Sequence, residues 1–72
     1  MREWLKNARE KCGLTMKTAS EKLGISESYY CSIENGVRQK KMDITLASKI
    51  SVIFDVPLTE VVANEKSLEP AE

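Results

Sequence analysis

A chain of 72 residues leaves room for one domain, whose core rarely supplies more than ~3–5 kcal/mol of net stability without staples or partners. Histidine is absent, and Cys12 and Cys31 stand outside any Cys-x-x-Cys spacing, so zinc fingers, His-based triads and imidazole general bases are excluded. Eleven basic residues balance eleven acidic ones, but residues 1–41 carry nine Lys/Arg against five Asp/Glu and residues 42–72 carry two against six, a basic front and an acidic back.

In chain order, helical periodicity with start and stop signals divides the sequence into five short helices, an all-α chain with no convincing strand. The first runs from about residue 2 to Cys12, with Trp4, Leu5, Ala8 and Cys12 on its apolar side and Gly13 beyond its end. Thr15 caps the second, MKTASEKL, whose inner face is Met16, Ala19, Ser20 and Leu23, and Gly24 ends it. Ser26 caps the third, with Tyr30, Cys31 and Ile33 inward and Asn35-Gly36 as the stop. A basic loop, VRQKK, follows. Asp43 then caps ITLASKISVIF, with Ile44, Ala47, Ile50, Ile53 and Phe54 assigned to one face, and Pro57 opens a last short helix with Leu58, Val61 and Val62 apolar.

The domain is expected to occupy residues 1–64, leaving 65–72 as a polar, frayed tail. Both cysteines are read as reduced, small buried side chains. No apolar run is long enough to span a bilayer and the N-terminal stretch lacks a signal-peptide core, so a cytoplasmic chain without membrane contact is expected.

The second and third segments are joined by LGIS, and two helices linked at a steep angle by a short turn containing Gly form a helix-turn-helix, here about residues 15–35. The stretch GLTMKTASEKLGISESYYCSIENGVR resembles the Xre-type helix-turn-helix family, which includes the lambdoid phage Cro and cI repressors. The likeness rests on the G-L-T opening, the L-G-I-S turn and the S-I-E-N-G-x-R close, and extends more loosely through KISVIFDVPLTEVV. It implies a compact five-helix, lambda-repressor-like DNA-binding domain whose third helix enters the major groove.

Carried over by position, the resemblance places Glu27, Ser28, Tyr29 and Ser32 as base readers. Residues 28 and 32 also share one helix face, opposite Tyr30 and Ile33. Serine hydroxyls can both donate and accept, Glu27 can accept from cytosine N4, and a tyrosine can meet a thymine methyl or a phosphate. Phosphate contacts are implied at Thr15, Met16 and Lys17, then at Asn35, Gly36, Val37 and Arg38, followed by Lys40 and Lys41. Arg9 and Glu34 match an internal ion pair of the family. Trp4 is read as a core or dimer anchor. Departures from the family pattern are Met16 in place of a phosphate-binding Gln, Ala19 and Ser20 in place of Leu and Ala, and a long VRQKKMD loop without proline.

The expected function is sequence-specific binding of double-stranded DNA as a transcriptional regulator, a repressor acting as a homodimer on a palindromic operator, with Val56, Leu58, Val61 and Val62 at the dimer contact. No cofactor, metal, small-molecule ligand or catalysis is expected. The rival reading is a protein-interaction module, an antitoxin or anti-repressor, built on the same fold.

Overall fold

The computed structural model describes residues 1–39 and 41–67. Five helices account for them, α1 (Glu3–Lys11), α2 (Met16–Leu23), α3 (Glu27–Glu34), α4 (Ile44–Ile53) and α5 (Leu58–Ser67), with no strand among the described residues. The all-α, five-helix architecture expected from the sequence is the one observed.

Local chemistry sets the boundaries. Side-chain oxygens take up first-turn amides that would otherwise be orphaned: Thr15 accepts from the Thr18 N–H at 3.1 Å, Ser26 from Tyr29 at 3.1 Å and Asp43 from Thr45 at 3.3 Å. Gly24 closes α2 at φ 73°, a left-handed conformation that a Cβ would strain, and the Ile25 N–H returns to the Ser20 carbonyl at 3.0 Å. Three residues, Gly24 to Ser26, therefore suffice to turn the chain from α2 into α3.

All five helices contribute to the core, with α2 packed on α3 and α4, α1 on α3, and α4 on α5. Leu5, Leu23, Ile33 and Ile50 fill its centre, and the Tyr30 ring meets Phe54 edge-on at 6.4 Å and 81°. Ala19 and Ser20 are both buried, and the Ser20 hydroxyl is satisfied by the Lys17 carbonyl at 2.7 Å.

Several expectations need correction. Ile44 is 74% exposed, and Leu46 takes its place in the core. At 100° per residue, 46, 47, 50 and 54 lie within one stripe and residue 44 falls outside it. Cys12 is exposed, its thiol donating to the Phe54 carbonyl at 3.3 Å, and Cys31 is half-buried; both thiols are free. Val61, assigned to a dimer contact, is fully buried inside the monomer, because α5 turns that side toward the core. The domain boundary expected at residue 64 falls inside α5, which continues to Ser67. Glu65 accepts there from the Arg2 guanidinium and from the Trp4 indole N–H at 2.9 Å, giving a polar segment a reason to stay helical. The rest of the expected tail, 68–72, lies outside the described residues, as does Lys40.

Candidate nucleic-acid interface

The N-terminal ends of α2 and α3 carry the groups suited to an anion. Thr15 satisfies only the Thr18 amide, so the Met16 and Lys17 N–H groups at the start of α2 have no partner among the described residues. Lys17 is exposed beside them. The half-buried Met16 side chain packs against the core, and the polar group this residue offers is its amide.

Along α3, Glu27 and Ser28 are exposed, whereas Ser32 is half-buried and donates its hydroxyl to the Ser28 carbonyl at 3.1 Å. That bond leaves the Ser32 oxygen as an acceptor, while Ser28 keeps both capabilities. Tyr29, expected on the exposed side, is half-buried, its ring packed against the core and its hydroxyl accepting from Gln39 Nε2 at 2.7 Å. It stands at the edge of the polar stripe formed by the other three.

The loop after α3 is built differently from a cradle of free amides. The N–H groups of Asn35, Gly36, Val37 and Arg38 all donate to carbonyls of Cys31, Ile33 or Ser32. What the loop presents is side chains: Asn35, Val37, Arg38 and Lys41 are exposed, with Asn35 donating to the Cys31 sulfur at 3.4 Å.

Sequence reasoning missed the group that holds this loop. Arg2, 2% exposed, donates through Nη1 to the Ile33 and Arg38 carbonyls at 2.7 and 3.1 Å and through Nη2 to the Gln39 carbonyl. Its Nε and Nη2 engage the Glu65 carboxylate at 2.9 Å. A cation is well placed against carbonyls at the C-terminal end of α3, where the helix dipole is negative. The available signal was spacing: Arg2, Leu5 and Arg9 share one side of α1 and its approach, so an inward Arg2 was legible in principle. Its partner Glu65, 63 residues away, was not.

Arg9 and Glu34 meet as a fork, Nε to Oε2 at 3.0 Å and Nη2 to Oε1 at 3.3 Å, and Arg9 Nη1 also reaches the Leu14 carbonyl at 2.9 Å. The hydrogen bond to Glu34 raises the Arg9 pKa, against an opposing effect of burial. The pair ties α1 to the end of α3 and is remote from solvent. Beside it, burial first and the Glu34 carboxylate second push the Tyr30 hydroxyl upward. That hydroxyl lacks a hydrogen-bond partner of good geometry, so the carboxylate acts on it by proximity.

No group of three or more metal-ligating side chains and no helix long and apolar enough to cross a membrane occurs among the described residues. No curated protein and no solved structure gives a significant match to the chain. A family model described as helix-turn-helix matches residues 5–61, spanning α1 through the first turn of α5 and including both helices and the turn described above. That match covers most of the sequence, and the chain belongs to the Xre-type, cI-like helix-turn-helix family of DNA-binding transcriptional regulators.

Proposed function

We propose that this regulator is a repressor that reads duplex DNA with α3 in the major groove. The observation that carries the reading is the outward polar stripe of Glu27, Ser28 and Ser32, on a capped helix whose opposite side, Tyr30 and Ile33, is locked into the core. Ser28 is suited to either kind of base edge, while Ser32 and Glu27, as acceptors, suit an exocyclic amino group such as cytosine N4. Thr15, Met16 and Lys17 at the start of α2, with Asn35, Arg38 and Lys41 of the loop, seat the phosphates; Gly36 and Val37 shape the loop's approach. Lys40 belongs to the same basic run in sequence.

The chain acts as a homodimer on a palindromic operator. Leu58 and Val62, 40% and 47% exposed, with the half-buried Val56, supply apolar surface for the contact, and docked half-sites would lie ~34–36 Å apart. Selection from a random duplex library tests the reading. A palindromic consensus is expected, relaxed at defined positions by Ser28→Ala and Ser32→Ala; no enrichment would contradict it.

One observation favours the rival reading as a protein-interaction module. Arg2 and Arg9 are buried and paired, so two of the eleven basic residues are withdrawn from the surface. Binding to a protein ligand with weak salt dependence, and none to duplex DNA, would favour that rival.

A further inference from the structure

Gln39 is not glycine, yet it occupies the left-handed region at φ 56°, a conformation that costs free energy unless the surroundings hold it. Three contacts do so. Its carbonyl accepts from Arg2 Nη2, its side-chain Oε1 accepts from the Asp43 N–H at 2.9 Å, and its Nε2 reaches the Tyr29 hydroxyl at 2.7 Å. One residue thus joins the approach to α1, the cap of α4 and the edge of α3.

The direction of these bonds has a chemical consequence. A backbone N–H can only donate, so the bond from Asp43 fixes which end of the Gln39 amide is oxygen and which is nitrogen. The nitrogen can only donate, so the Tyr29 oxygen must be the acceptor. The phenol's own proton then has no acceptor among the described residues and remains free to donate. The surroundings favour an anionic acceptor, because Gln39 directly follows the exposed Arg38 and Lys41 lies two residues on.

We propose that Gln39 is a positioning residue that presets the Tyr29 hydroxyl as a hydrogen-bond donor to a DNA phosphate, with Arg2 holding Gln39 in place. The inference rests on the DNA reading of the α2–α3 face and assigns Tyr29 to register instead of sequence.

Binding of the selected operator and of a scrambled duplex, followed by fluorescence anisotropy well below the melting transition, tests it with Gln39→Gly, Tyr29→Phe and the double variant. Glycine accepts the left-handed backbone and phenylalanine keeps the ring packing, so both variants should fold, which melting by circular dichroism checks. Each single variant is expected to weaken both duplexes by the same factor, about fivefold, and the double variant to be no worse than either. The salt dependence should stay that of wild type, because no ion pair is lost. Wild-type affinity in Gln39→Gly, or losses that multiply in the double variant, would overturn the relay. A loss on the operator with none on the scrambled duplex would overturn the phosphate assignment. Failure of the wild-type chain to bind either duplex would instead overturn the underlying DNA reading.

Discussion

A phenol in the centre of a small core invites the question of what its oxygen does. At Tyr30 the ring is fully buried against Phe54 while the hydroxyl goes unpartnered, so the oxygen adds desolvation without a compensating bond. Tyr30→Phe is therefore expected to leave the melting temperature unchanged or raise it. The same residue makes the fold sensitive to alkali. The folded pKa lies above the usual value of about 10, so the unfolded chain releases this proton first. The contribution is fully present below about pH 10 and is lost as pH rises beyond it; the raised Arg9 pKa acts in the same direction at still higher pH. Melting curves across that range should fall more steeply for wild type than for Tyr30→Phe, and parallel curves would contradict the assignment.

Among the elements, the parts legible in the sequence are those written locally. Thr15, Ser26 and Asp43 cap helices because a side-chain oxygen meets an amide two or three residues on, a relation that spacing alone discloses. The turn at Gly24 is of the same kind. What the sequence concealed depends on partners far apart. An arginine at position 2 reads as solvated until Glu65, the Ile33 carbonyl of α3 and two loop carbonyls are brought round it, and a polar segment at 65–67 reads as frayed until Arg2 and Trp4 grip it. Val61 looks as available for a dimer contact as Val62 until the rotation of α5 buries one and leaves the other exposed. At the candidate interface, the α3 stripe was legible from periodicity, but the bonding of the loop amides and the tether on Tyr29 were not. Glu65→Ala would leave the Arg2 cation buried without its carboxylate. A loss of about 2 kcal/mol in urea unfolding is expected, below the value for a fully buried pair because Glu65 is 16% exposed. A change within 0.5 kcal/mol, the usual range for ordinary surface substitutions, would contradict the clamp.

For the whole molecule, zero net charge conceals an uneven distribution along the chain, and the proposed docking on DNA uses its basic part. Lys17, Arg38 and Lys41 are exposed on the stretch that bears the helix-turn-helix and its following loop, while most of the acidic back half belongs to α4, α5 and the residues around them. Binding of that kind releases counterions, so its strength must fall as salt rises. The most direct test is the affinity for a selected duplex as a function of salt, for wild type, Arg38→Ala and Lys41→Ala. The expected result is a steep linear fall of log affinity with log salt, with each substitution reducing the slope by about 0.9, the value for one phosphate contact on duplex DNA. A flat dependence, or a slope that neither substitution changes, would contradict docking through this face.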